Sequence, residues 1–199
     1  MSRFTPVKLL PLILSTLLLT SCSGPDSSGG VEFSKTANEF PYGDCRGSGY
    51  QTHSTAETGC GWITVDEKSY YIMPGADLIG ADLKTANLTN ATLTNAILGG
   101  AVLTNANLTN ANLHFAYLGF AVLTNANLSF AALTNADLYG ANLSGAYLMG
   151  ANLTNANLTG VGLPNANLSG ANLTGVQANS STICPNGKNW GTSGNDCGF

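Results

Sequence analysis

An all-β solenoid is the fold class this sequence predicts, on three observations. Leucine recurs at every fifth residue twenty times without a miss: Leu78, Leu83, Leu88, Leu93, Leu98, Leu103, Leu108, Leu113, Leu118, Leu123, Leu128, Leu133, Leu138, Leu143, Leu148, Leu153, Leu158, Leu163, Leu168 and Leu173. Two places before each stands a small apolar residue, alanine everywhere from Ala76 to Ala171 except Val161. The other three positions are mostly Asn, Asp, Thr, Ser and Gly, residues that tolerate turns, as in Ala106-Asn107-Leu108-Thr109-Asn110.

A period of five excludes the ordinary elements. In an α-helix, at about 100° per residue, successive leucines would be offset by about 140° and spiral around every face. In a strand, side chains alternate with period two, so an odd repeat sends successive leucines to opposite faces. A chain that bends once per unit collects all of them on its axis. Each turn then buries its inner face against the next, which is the logic of a solenoid.

The unit A-(N/D)-L-(T/S)-(N/G) resembles the consensus A(D/N)LXX of the pentapeptide-repeat family over residues 76–175, about half the chain. That resemblance implies a right-handed quadrilateral β-helix with four units per coil, hence about five coils. At about 4.8 Å per coil the rod would be roughly 25 Å long.

In chain order, residues 1–21 read as a lipoprotein signal peptide. Arg3 and Lys8 precede the apolar stretch Leu9–Leu19, which is short for a membrane span. The segment ends Leu19-Thr20-Ser21-Cys22, which resembles a bacterial lipobox with Cys22 as the lipidated first mature residue. The alternatives are an ordinary signal peptide with an incidental cysteine, or an uncleaved anchor. Several acyl chains on Cys22 would suffice for stable membrane anchoring. The predicted location is therefore the extracytoplasmic cell envelope, at the outer membrane in a Gram-negative cell. Residues 22–30, rich in Gly and Ser, form a flexible tether.

Residues 31–75 read as an N-terminal cap with a hairpin. Trp62-Ile63-Thr64-Val65 and Tyr70-Tyr71-Ile72-Met73 are strand-prone runs around Asp66–Ser69. A small ligand-binding module is the alternative. Residues 176–199 form the C-terminal cap: Val176-Gln177-Ala178 is a faded repeat, and Trp190 and Phe199 are candidate plugs. Both caps answer the need to cover open strand edges.

Beyond Cys22 there are four cysteines, Cys45 and Cys60 before the rod and Cys184 and Cys197 after it. An exported chain meets oxidising conditions, so disulfides are expected. A bridge needs Cα atoms within about 7 Å, far less than the expected rod length. The pairing is thus Cys45–Cys60 and Cys184–Cys197. Zinc is a poor rival, since no CxxC occurs.

Nothing in the chain has the pattern of an enzyme, a cofactor site or a metal site. The histidines, His53 and His114, lack a recognisable nucleophile or ligand partner. The whole chain carries seven basic and eleven acidic residues; losing Arg3 and Lys8 leaves five basic against eleven acidic, a net charge of −6. No basic block suggests nucleic-acid binding.

With four units per coil, residues twenty apart stack. One side then carries Ile79, Ile97, Tyr117, Phe120, Asp137 and Tyr139, with Phe115 at its preceding corner beside His114. The next side adds Val102 and Val122, the third Phe130, Tyr147 and Met149, and the fourth is mostly Asn and Thr. Phe115, Tyr117, Phe120 and Tyr139 are the candidate binding patch, since contiguous exposed apolar area marks interaction surfaces. The alternative is that these rings lie over neighbouring glycines and stiffen the rod.

The preferred function is a non-enzymatic, lipid-anchored structural or protein-interaction rod with an envelope protein partner, monomeric because stapled caps block end-to-end stacking. The alternative is an envelope glycan-binding module. Some family members mimic DNA and bind gyrase, which demands dense negative charge; here the run holds only Asp77, Asp82 and Asp137, opposed by Lys84. An ice-binding Asn/Thr lattice is disfavoured by Ala132 and His114 on its flat side.

Overall fold

The computed structural model describes residues 60–192 and Cys197. After a short hairpin the chain winds into a four-sided coil, held by single-residue parallel bridges one turn apart. One column runs Asp77, Ile97, Tyr117, Asp137, Asn157 and Gln177, so each turn takes twenty residues, or four units. Three further columns start at Asp82, Asn87 and Thr92.

Each unit repeats the same bonds. Leu98 N–H donates to Tyr117 C=O at 2.7 Å, and Tyr117 N–H donates back to Ala96 C=O at 2.9 Å. Gly100 N–H donates to Gly119 C=O, while Ala101 N–H reaches Leu98 C=O at 3.0 Å and closes the corner. The last residue of every unit from Gly80 to Gly175 has positive φ, between 55° and 71°. Eight of those twenty positions are Gly and eight Asn, the residues for which a left-handed backbone costs least. The second position helps from the side chain: Asn107 Oδ1 accepts from Thr109 N–H at 3.1 Å and from the Thr109 hydroxyl at 2.6 Å.

Ala and Leu fill the axis. Every leucine from Leu78 to Leu163 is buried, as is every alanine from Ala76 to Ala166 that precedes a leucine by two, and Val161 with them. Leu168 and Leu173 depart from the expected core of twenty and are only partly buried. They belong to the last turn, where no further turn covers them.

At the near end, β1 (Gly61–Val65) and β2 (Lys68–Ile72) pair antiparallel, with Trp62 opposite Tyr71. The connecting turn is two residues, Asp66 and Glu67, both at positive φ, so Lys68 and Ser69 belong to the strand rather than to the longer turn expected. Ile63 and Ile72 are buried in the same core cluster as the first leucines, and Asp82 N–H donates to the Tyr70 hydroxyl at 3.2 Å. Cys60 is buried and disulfide-bonded; Cys45, its expected partner, lies outside the described residues. So do Cys22, His53, Phe199, the signal segment, the tether and residues 31–59.

At the far end the register slips by one. Gly162 bridges Ile183, twenty-one residues on, and Thr182 absorbs the extra residue. Its fully buried hydroxyl donates to Leu158 C=O at 2.7 Å and accepts from Gly160 N–H at 3.2 Å, taking the place of a carbonyl. Cys184 and Cys197 are bonded, with Cα atoms 4.9 Å apart.

These hydrogen bonds can be tested at two positions. Thr182→Val keeps the shape but strands the N–H groups of Gly160 and Asn179, and should lower unfolding free energy by about 1–3 kcal/mol in denaturant titration. Thr134 Oγ1 is buried without a partner, because position 132 is Ala where Asn112 and Asn152 stand one turn either side. Ala132→Asn supplies the missing acceptor and should raise stability by about 0.5–1.5 kcal/mol in the same measurement.

Candidate interaction surface

Most of the large apolar side chains left in solvent lie on two opposite sides of the coil. Ile79, Ile97, Tyr117, Phe120 and Tyr139 share one side, with Phe115 at its corner; Phe130, Tyr147 and Met149 share the opposite one.

On the first side the rings are set down on glycines. A Cβ at Gly99 would stand 2.7 Å from Tyr117 Cε1, and one at Gly119 2.6 Å from Tyr117 Cζ. The Tyr117 ring therefore occupies the space that two missing side chains leave. Phe120 covers Gly140 in the same manner, and it meets Tyr139 edge to face, with centroids 5.3 Å apart. Phe130 lies over Gly150 on the opposite side. Ring-over-glycine packing is thus present, and the rings still leave much of their area in water: Phe120 remains 60% exposed and Tyr117 42%.

Phe115 does not join this layer. Its row runs Asn95, Phe115, Asn135, with no glycine beneath it, and among the described residues it makes no ring contact. It is 58% exposed. The four residues of the expected patch therefore divide into a packed trio and an isolated corner ring.

The backbone adds a feature that sequence reasoning missed. Phe115, Phe120 and Phe130 all occupy the left-handed corner position, at φ 57°, 58° and 59°. A bulky residue there is a conformational outlier and costs about 1–2 kcal/mol. The signal was in the sequence, since that position is otherwise Asn or Gly apart from Thr85. Phe120 and Phe130 recover part of the cost against their glycines. Phe115 has no glycine in its row to lie over, at an exposure close to theirs.

Charge contributes little. Lys84 Nζ donates to Asp82 Oδ2 at 2.9 Å, which holds the Asp82 carboxyl below and the Lys84 ammonium above their usual ranges. Asp137 Oδ1 accepts from Tyr139 N–H and from Asn157 Nδ2, each at 3.0 Å. His114 sits half-buried, and its backbone N–H donates to Asn112 Oδ1. Among the described residues no group of three His, Cys, Asp or Glu could hold a metal, and no helix is long and apolar enough to cross a membrane.

The repeats have counterparts among known proteins. The family model described as pentapeptide repeats matches in eight copies, over residues 86–125, 101–138, 116–155 and 136–175. Among solved structures the chain is similar to HetL, a pentapeptide-repeat protein involved in heterocyst differentiation regulation from the cyanobacterium Nostoc sp. strain PCC 7120. The identity is 32% and the TM-score 0.50, covering 58% of this chain and 62% of HetL. It is also similar to another pentapeptide-repeat protein of Nostoc PCC 7120, at 35% identity and TM-score 0.22, covering 38% of this chain and 71% of that one. QnrB1, a plasmid-mediated fluoroquinolone resistance protein, is matched at 25% identity and TM-score 0.25, covering 52% of this chain and 60% of QnrB1. The chain thus spans less than two thirds of the length of HetL and of QnrB1. No curated protein matches it. The family's fold is the right-handed quadrilateral β-helix, in keeping with the twenty-residue turn described above.

The strain at the corner gives a direct test. Phe115→Asn installs the residue of its column neighbours and should raise unfolding free energy by about 1–2 kcal/mol, read by thermal or chemical denaturation.

Proposed function

This chain belongs to the pentapeptide-repeat family, and on that premise we propose that it is a non-enzymatic, lipid-anchored rod of the bacterial cell envelope that binds a protein partner through its aromatic side. The family fold suits a structural or protein-interaction role, because the axis is filled by Ala and Leu and only the exterior is open to a partner. One observation supports the aromatic side above others. Phe115 is kept in a left-handed conformation, over half exposed, where the fold itself favours Asn or Gly. Backbone strain at a ring left over half in water, with no glycine in its row to lie over, points to use at the surface. Tyr117, Phe120 and Tyr139 stand exposed on the side that follows that corner.

The anchor rests on the sequence Leu19-Thr20-Ser21-Cys22 after a positively charged, apolar leader. The Gly/Ser-rich stretch after Cys22 would let the rod stand clear of the membrane.

A second reading, binding of envelope glycan, draws on Tyr117. Its ring lies against Gly99 and Gly119, with the Asp137 carboxylate on the next rung as an acceptor for hydroxyls. Gyrase binding by DNA mimicry fits poorly. A roughly 25 Å stretch of duplex carries about fifteen phosphates, whereas the repeat run has three aspartates and an opposing lysine.

The test has two parts. Mass spectrometry of the mature protein should find a diacylglyceryl group on Cys22; an unmodified chain retaining residues 1–21 would remove the anchor. Phe115→Ser with Tyr117→Ser should abolish a protein crosslink formed in cells from this side, with thermal stability no lower than that of Tyr117→Ser alone. If the double variant keeps the protein crosslink, or loses only a peptidoglycan pull-down, the protein-partner reading fails.

A further inference from the structure

Among the described residues, the far end of the coil is closed over half of its perimeter. Leu163 and Asn165 donate their N–H groups to the carbonyls of Ile183 and Pro185, and Thr182 serves Leu158 and Gly160. The chain then doubles back, with Cys184 N–H bonded to Lys188 C=O and Trp190 N–H to Thr182 C=O, under the Cys184–Cys197 bridge. This arrangement covers two sides. Of the C-terminal cap expected over residues 176–199, residues 193–196, 198 and 199 lie outside the described residues.

Among the described residues nothing pairs with the other two sides, units 166–170 and 171–175. One turn earlier, Leu148 and Gly150 donate to Asn167 and Ser169, and Leu153 and Asn155 donate to Asn172 and Thr174. Their counterparts, the N–H groups of Leu168, Gly170, Leu173 and Gly175, find no acceptor among the described residues. The carbonyls of Ala166 and Ala171 likewise receive no donor there, although Ala146 and Ala151 accept from Asn167 and Asn172. Beneath this edge Leu168, Ala171 and Leu173 are only partly buried. An unpaired strand edge over an apolar floor is a template for pairing with another chain.

We propose that this half-open end is a docking site for an extended polypeptide segment of a partner protein, bound by backbone addition. The pattern of unpaired groups dictates the occupant. One residue of the segment must donate its N–H to Ala166 C=O and accept from Leu168 N–H, and the residue two further on must accept from Gly170 N–H. Asn167 and Ser169 make the equivalent bonds to the preceding turn. A polypeptide backbone carries donors and acceptors at that spacing, and specificity comes from alternate side chains. The residue between those two must be apolar, since it seats on Leu168, and the one before them small. A corner then carries the segment onto Ala171, Leu173 and Gly175. The near end is not an equivalent site, because the hairpin and its buried Ile63 and Ile72 cover the first turn. The site is separate from the aromatic side and does not rest on that reading.

Amide exchange in the full mature chain tests the proposal, with a synthetic decapeptide carrying the sequence of residues 166–175 as the probe. In the free protein the amides of Leu168, Gly170, Leu173 and Gly175 should exchange at least tenfold faster than those of Leu148, Gly150, Leu153 and Asn155. Saturating peptide should slow the first four at least tenfold and leave the Phe115–Phe120 amides unshifted. A peptide N-methylated at both asparagines that follow alanine, which lacks the two required donors, should bind at least tenfold more weakly. Three outcomes would each overturn the proposal: protection already present in the free monomer, meaning that the chain covers its own end; protection that appears only with rising protein concentration, meaning that a second copy is the occupant; or undiminished binding of the methylated peptide.

Discussion

The hydrogen bond between one turn and the next is the constraint on which everything else in this molecule depends. Inside the coil each leucine N–H meets a carbonyl nineteen residues ahead, and each residue before a leucine returns a bond to the turn behind. Those bonds fix the turn at twenty residues. The fixed turn stacks like positions into columns, and the columns decide which side chains share a side. Burial alone would tolerate other windings of the same leucines. The ladder selects one, and it demands a left-handed corner at the end of every unit.

From that demand comes a division of labour along the unit. The first and third positions fill the axis, the second trims the backbone with its side-chain oxygen, and the fifth turns the corner. Only the fourth position is largely free, with the second available where it is not Asn. An outward aromatic therefore either sits where the fold is indifferent, as Tyr139 does, or where the fold resists it, as Phe115 does. Contacts between neighbouring turns have short sequence separation, so the rod can form by growth from any nucleus and needs its ends made well.

Much of this was legible in the sequence because the period is so strict. Twenty leucines at intervals of five exclude helix and flat strand on their own, and the outward side carrying Tyr117, Phe120 and Tyr139 emerges once four units are assigned to a turn. The hidden parts lie where the period gives no guidance. Asp66 and Glu67 make a tight two-residue turn although neither is the Gly that such turns favour. The corner strain at Phe115 is a backbone property, visible in the sequence only by comparing a column of residues twenty apart. Leu168 and Leu173 look like any other leucines in the series; their exposure depends on the path of the chain beyond Gly175, which the repeat itself does not encode.

The one-residue slip between Gly162 and Ile183 has a consequence for size. Interchangeable units carry no information about their own number, so a coil of this kind could gain or lose a whole revolution in its middle without disturbing any column. Length is therefore written at the phase error, where a threonine hydroxyl stands in for a carbonyl and no twenty-residue successor can be stacked in step. Reach can then be retuned over generations by duplicating or deleting complete revolutions, while the terminating sequence travels unchanged at the tip.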